Sequence, residues 1–428
     1  MRKILFFVAL VCFSTNFFAQ TVTDDFKNDI RRAASNHQAY PGPIKKTLSP
    51  PPSGLKPFYI SHYGRHGSRY LINPEDYTFP LRCLRMADSA KVLTTMGQDV
   101  MQRIEKIYDE AKNRLGELSP LGAVQHQQIA ERMYNRFPEV FEGEVNIDAK
   151  STVVIRCILS MSNELTTFAK KNPKLTFTQD ASNNDMPYMN FGDKQLFKQL
   201  KNEKATKIYE DFFKRHVDNR RTMQLLFNDT AFATSHFNTK RLFQLLWKVA
   251  GSVQNTEGRK TISLYDLFND NEIYNNWLTD NAWWYANYGF FTANGGKQPY
   301  SQRRLLAKII EEADSCIALP HPGATLRFGH ETMVMPLTCL LGLNGYDYAT
   351  DDLESLESHN WLNYKIFPMG ANIQFVFYRK DPADKDVMVK VLLNEDEATL
   401  PIKTNTAPYY KWSEVREYYL DKLAKFEY

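Results

Sequence analysis

Cysteine is scarce in this chain, and there is little net charge of either sign. Five cysteines occur in 428 residues. No two stand in a Cys-x-x-Cys spacing, which argues against a zinc site. The formal net charge is only +4. That is too mild for a nucleic-acid binder, which would concentrate a strong basic excess on one face. Long hydrophobic runs are missing beyond Ile4–Phe13, and that run is too short to span a bilayer comfortably. No stable membrane insertion is therefore expected. The Asn294-Gly295-Gly296 turn has no partner motif for a nucleotide. Low complexity is absent as well. Hydrophobic content of 43%, charged content of 24% and aromatic content of 13% are those of a folded globule.

Arg2 and Lys3 precede the apolar run, and Phe17-Phe18-Ala19-Gln20 offers a small-residue cleavage point. Residues 1–20 thus read as a signal peptide, and an exported chain in the periplasm or outside the cell is expected. Four cysteines then remain, Cys83, Cys157, Cys316 and Cys339. They are either buried small hydrophobes or disulfide partners, with three pairings open. Residues 21–57 read as a peripheral arm, because Pro41, Pro43, Pro50, Pro51, Pro52 and Pro57 oppose helix and sheet ladders.

The chemistry begins at Phe58-Tyr-Ile-Ser-His-Tyr-Gly-Arg-His-Gly-Ser-Arg-Tyr70. An apolar run with strand character ends in Arg65-His66-Gly67-Ser68-Arg69. A strand that runs out into a glycine turn delivers its last side chains to the edge where open α/β sheets keep their ligand crevices. Two arginines beside one histidine make a costly cluster of donors, and a dianion between them would justify it. Arg65 and Arg69 present planar forks that match phosphate oxygens two at a time. The His66 imidazole beside such an anion can attack phosphorus. His62 and His66 are four apart but not on a helix, so no metal site is expected from that spacing.

Further along, Ser119 and Pro120 suit the cap and first position of a helix that ends before Pro138. The run from Ser151 to Ile155 is apolar and β-branched, which predicts a buried strand with Arg156 at its end. That charge needs a partner, either a structural ion pair or a bound anion. Between 163 and 300 strand signals are rare and helical stretches recur, while Asn281–Phe291 is dense in aromatics suited to core packing. A second strand then runs into Gly329 and delivers His330 and Glu331. Alternation at Ile373, Phe375 and Phe377 predicts another strand, paired with residues 387–395.

The Arg65-His66-Gly67-x-Arg69 stretch resembles the Arg-His-Gly-x-Arg signature of the histidine phosphatase superfamily, in its acid phosphatase and phytase branch. That branch often continues with x-Pro; Leu71 departs from it, a change of turn rigidity and not of chemistry. Leu118-Ser-Pro-x-Gly-x-x-Gln125 resembles a helix start common in the same superfamily. Arg156 matches the branch's third arginine, and Gly329-His330-Glu331-Thr332 resembles its His-Asp-Thr or His-Ala-Glu-Thr element. Asn372 and the ending Val389-x-x-Leu-Leu-Asn-Glu395 are similar to multiple inositol polyphosphate phosphatases.

The resemblance implies an α/β fold, a mostly parallel sheet flanked by helices with a mainly helical insert domain. The core would comprise 58–162 and 301–428, and the insert 163–300. It implies a phosphomonoester hydrolase with His66 as nucleophile and Glu331 as proton donor to the leaving oxygen. Arg65, Arg69, Arg156 and His330 would hold the phosphoryl group. No metal and no cofactor are implied, since the arginines take the cation's place. The implied substrate is a small phosphorylated molecule, inositol phosphates first. A broad-specificity acid phosphatase, or an exported protein that binds a phosphorylated ligand without turnover, remains as an alternative.

Overall fold

The computed structural model describes residues 21–428 apart from 191 and 201. The expected signal peptide, residues 1–20, lies outside the described residues. Among the described residues there are ten strands: β1 Lys56–Arg65, β2 Asn146–Ser151, β3 Thr176–Asp180, β4 Phe290–Phe291, β5 Gly323–Gly329, β6 Ala349–Thr350, β7 Asn372–Arg379, β8 Met388–Leu393, β9 Asp396–Glu397 and β10 Tyr410–Lys411. The main sheet runs β10-β8-β7-β1-β5-β2-β3, with β9 beside β8. From β1 through β5 and β2 to β3 the pairing is parallel. From β1 through β7 and β8 to β10 it is antiparallel. The α/β expectation holds, in a mixed sheet whose parallel half carries the motifs.

β1 is buried along nearly its whole length, as a strand covered on both faces must be. Its alternating side chains feed two cores. Tyr59 and Tyr63 join one with Leu305, Leu337 and Val415, which stand on the helices Arg303–Ile317, Glu331–Leu341 and Trp412–Ala424. Ile60 joins the other with Met133 and Phe168 from the helices Pro120–Arg136 and Ile155–Lys171. Helices thus cover both sides of the sheet. A further group of helices, among them Glu203–His216, Thr239–Ser252 and Asp270–Tyr288, extends the first core. Most of the aromatic-dense stretch packs inward there, with Trp284, Tyr285 and Phe291 buried, while Trp283 stays exposed. The helices Glu75–Ser89 and Thr95–Ala111 join this group: Thr94 Oγ1 donates to Leu225 O at 2.6 Å and Asn228 N to Val92 O at 2.8 Å.

Several local readings change. Residues 21–57 include a helix, Val22–Asn28, closed by a capping box at Thr21. It lies upstream of the first proline, and Val22 and Phe26 are buried. The strand expected at Ser151–Ile155 lies earlier, at Asn146–Ser151, where Ile147, Ala149 and Ser151 alternate inward. Val153 and Ile155 are instead exposed, on the turn into the helix that begins at Ile155. Their apolar character marks the rim of a turn, not a strand core. Cys83, Cys157, Cys316 and Cys339 are unpaired thiols. Among the described residues no helix is long and apolar enough to cross a membrane.

Two glycines let the turn after β1 lie directly on the start of the helix Pro120–Arg136. A Cβ on Gly67 would meet Gly122 O at 2.5 Å and Gly122 Cα at 2.7 Å. Both obstacles are backbone and cannot rotate away. Gly67→Ala is therefore expected to lower the unfolding free energy by about 1–3 kcal/mol, read from the midpoint of urea denaturation. An unchanged midpoint would show that the two segments can part freely.

Candidate active site

Three parallel strands finish side by side. Arg65, the last residue of β1, pairs with Gly329, the last of β5, and Ser151 of β2 lies opposite Phe328. His66 N donates to Gly329 O at 2.9 Å, and Thr152 N to Phe328 O at 3.0 Å. The residues that follow each strand therefore meet. The His66 and His330 rings are 5.8 Å apart in an edge arrangement. Glu331 Oε2 lies 3.1 Å from Arg65 Nε and 3.6 Å from His66 Nε2. Arg65 and His66 are wholly buried, and Arg69 and His330 nearly so.

Each arginine is held by a backbone carbonyl. Arg65 Nη1 donates to Phe367 O at 2.7 Å, Arg69 Nη1 to Tyr70 O at 3.0 Å and Arg156 Nη1 to Gly116 O at 3.4 Å. The remaining donors are left over. Arg65 Nη2, Arg69 Nε and Arg156 Nε are buried without a hydrogen-bond partner. Such orphans mark a place built for something else. His66 Nε2 is also unpartnered. Its Nδ1 stands 2.9 Å from Gly67 O. A carbonyl can only accept, so Nδ1 carries the proton and Nε2 presents its lone pair.

Charge follows from this crowding. Burial lowers the Arg65 pKa to about 10; Arg69 and Arg156 add repulsion, against the pull of Glu331. Burial also pushes His66 well below the usual imidazole value, aided by Arg65 and Arg156 and opposed by Glu331. His330 is pushed down to about 4, again mainly by burial. Burial alone would raise the Glu331 carboxyl, but Arg65, His66 and Arg69 outweigh it and hold it well below the usual carboxylate range. Glu331 is the first residue of its helix, where the helix dipole also favours a negative charge. One ligand atom each from His66, His330 and Glu331 falls within 4.8 Å of the others. That spacing could admit a metal ion, yet the surrounding guanidinium groups oppose a cation and favour an anion.

The family model of the histidine phosphatase superfamily (branch 2) matches residues 65–394 of this chain. The chain belongs to that superfamily. It is a phosphoric monoester hydrolase. The chicken (Gallus gallus) multiple inositol polyphosphate phosphatase 1 is 23% identical over 335 residues, 74% of this chain and 71% of that protein. The Bifidobacterium longum multiple inositol polyphosphate phosphatase, solved with inositol hexasulfate, superposes with a TM-score of 0.75 at 18% identity. That match covers 90% of this chain and 97% of the other. The phytase of D. castellii gives 0.65 at 13% identity, over 93% and 86%. At these identities the solved structures speak for the fold.

In this phosphatase the six candidate residues do come together, Arg156 from the second position of a helix and not from a strand end. The scaffold that fixes them was mostly invisible. Ser68 N donates to Gln125 Oε1 at 2.8 Å, Ser68 Oγ to Asn255 Oδ1 at 2.7 Å and Gly67 N to Ser160 Oγ at 3.2 Å. Gly370 N donates to His66 O at 2.9 Å and Arg65 N to Ala371 O at 2.7 Å. Gln125 closes the Leu-Ser-Pro-x-Gly-x-x-Gln run and could have been found from it. Asn255 stands in no motif.

The depressed imidazoles set a pH expectation for the free protein. Their folded pKa lies below the unfolded value near 6.5, so the unfolded chain takes up protons first as pH falls. His330 therefore withdraws stability from about pH 6.5 down to about 4, and His66 likewise withdraws it as pH falls below about 6.5. In long-range ¹⁵N NMR spectra, both rings should stay neutral as pH falls through 6.5, with His330 taking up its proton only near pH 4. Titration of either ring near 6.5 would contradict the buried cluster.

Proposed function

We propose that this phosphatase hydrolyses phosphomonoesters of the inositol polyphosphate class through a phosphohistidine at His66. The observation that carries the reading is the free Nε2 of His66 beside buried, unpartnered guanidinium nitrogens of three arginines. Arg65, Arg69, Arg156 and His330 surround the phosphoryl group and neutralise the charge that develops on it, the main route to catalysis at phosphorus. Nε2 attacks in line, the P–O bond to the alcohol breaks, and Glu331 gives its proton to the departing oxygen. Water then attacks the phosphohistidine, Glu331 takes its proton, and inorganic phosphate leaves with the imidazole restored.

Glu331 is held ionised in the free site, whereas the first step needs it protonated. A phosphate dianion between the arginines takes up the charge that holds the carboxyl down, so its proton affinity rises once substrate is in place. Inositol polyphosphates are the favoured substrates because the relatives named for that activity match most of the chain. Export rests on Arg2, Lys3 and the apolar run after them.

The test is phosphate release from inositol hexakisphosphate at mildly acidic pH with EDTA present. Wild-type protein should turn over, and His66→Ala should lose at least about 10³-fold. Quenching in alkaline detergent with ³²P-labelled substrate should trap a base-stable, acid-labile label on wild type and none on the variant. Equal activity in the variant would overturn the mechanism.

A further inference from the structure

A second polar feature stands beside the phosphate clamp and takes no part in the chemistry described. His37 follows the buried Ala33 and Ala34 and is only half-buried itself. Its backbone is tied to the catalytic loop. Asn255 Nδ2 donates to His37 O at 2.6 Å, and Asn255 Oδ1 accepts from Ser68 Oγ. The next carbonyl, Gln38 O, accepts from Met369 N at 2.8 Å, one residue before the amide that holds His66 O. The position of His37 relative to His66 is thus set from two sides.

The imidazole itself is uncommitted, since among the described residues nothing hydrogen-bonds its ring nitrogens. It lines a cavity of about 390 Å³ together with Gln244, Lys248, Asp280, Trp283 and Trp284. One wall of the cavity leads towards the clamp: the Trp284 ring lies 4.8 Å from that of Phe367, whose carbonyl holds Arg65. Lys248 pairs with Asp76 at 2.9 Å from the cavity's edge. Asp280 accepts from Trp247 Nε1 at 3.3 Å, and burial pushes it up to about 6. Below that pH, Asp280 opposes an anion less and less. His37 is held well below the usual imidazole value by burial, then by Arg69, Lys248 and Arg65, with Glu331 opposing. His37 is thus within electrostatic reach of the clamp and of Lys248 together. An anion settling between them would restore its proton.

A monophosphate ester needs one clamp. A polyphosphorylated ring held by one phosphate carries further dianions a few ångströms away, and each needs charge or donors of its own. We propose that His37, with Lys248 beside it, forms a second anion subsite that takes a phosphate group next to the one being transferred. This rests on the inositol polyphosphate reading above. The subsite adds binding energy to polyphosphorylated substrates alone, and it belongs to specificity and not to bond breaking.

The experiment compares inositol hexakisphosphate with 4-nitrophenyl phosphate for wild type, His37→Ala and His37→Gln, with thermal melting to confirm that each variant folds. The backbone carbonyl that Asn255 grips survives both substitutions. For His37→Ala, kcat/KM on the hexakisphosphate should fall at least about tenfold more than on the aryl ester, chiefly through KM. His37→Gln keeps a donor and should recover part of that loss. Equal losses on both substrates, or no loss, would overturn the subsite while leaving the proposed function intact. Wild-type turnover of the aryl ester alone would overturn the substrate reading, and the subsite with it.

Discussion

Like charge packed into a buried place is the constraint on which the rest of this structure depends. Three guanidinium groups converge on one carboxylate, and Arg65 is fully buried. Isolated burial of such charge is prohibitive, so each group must be partnered or left for a ligand. Every arginine receives one backbone carbonyl, which anchors it without cancelling its charge. Glu331 cancels one unit. Three positive charges against one negative leave two uncompensated, the charge of a phosphomonoester dianion. The orphaned nitrogens and this count agree, although one comes from hydrogen-bond geometry and the other from simple arithmetic.

Such a cluster persists only if the backbone around it cannot relax. Parallel pairing makes β1 and β5 end in register, so His66 and His330 emerge from neighbouring positions. The antiparallel half of the sheet contributes from the other side. Ala371 O takes Arg65 N and Gly370 N holds His66 O, just before β7 begins. Behind them runs a buried polar chain: Arg132 to Glu395 at 2.6 Å, Tyr40 Oη to Glu395 at 2.8 Å and Asn372 Nδ2 to Tyr40 Oη at 3.3 Å. Gly67 against Gly122 clamps the turn from below. The catalytic loop is thus held by strand, helix and turn together, as preorganised electrostatics requires.

The parts of this site legible in the sequence were those whose reasons are local. Arg65 to Arg69 stand in one turn after one strand, and His330 and Glu331 follow another, so strand character, a glycine and a charge cluster disclosed both. Ser119 and Pro120 announced their helix by capping chemistry alone. Arg156 was found for its charge but misplaced in structure, because β-branched residues suit an exposed turn rim as well as a strand. The residues that remained hidden act over distance. Asn255 reaches Ser68 across 187 positions of chain, and the His37 carbonyl across 218. No periodicity or spacing encodes such contacts; they exist once the fold brings the partners together.

The place of the Glu331 carboxylate in the free site links binding to chemistry. Its oxygen Oε2 is the atom nearest both Arg65 Nε and His66 Nε2. It therefore stands beside the His66 nitrogen that the proposed mechanism uses, 3.6 Å away. On the proposed reading, substrate and Glu331 compete for the same guanidinium. An entering dianion loosens the carboxyl's hold on Arg65 and removes the charge that kept it ionised. Binding then draws a proton onto Glu331, and that is the proton the leaving oxygen needs. A longer side chain than aspartate helps here, since the carboxyl can withdraw from Arg65 without leaving the pocket. The adjacency of His330 and Glu331 thus suits a group that must first fill the anion site and afterwards yield it.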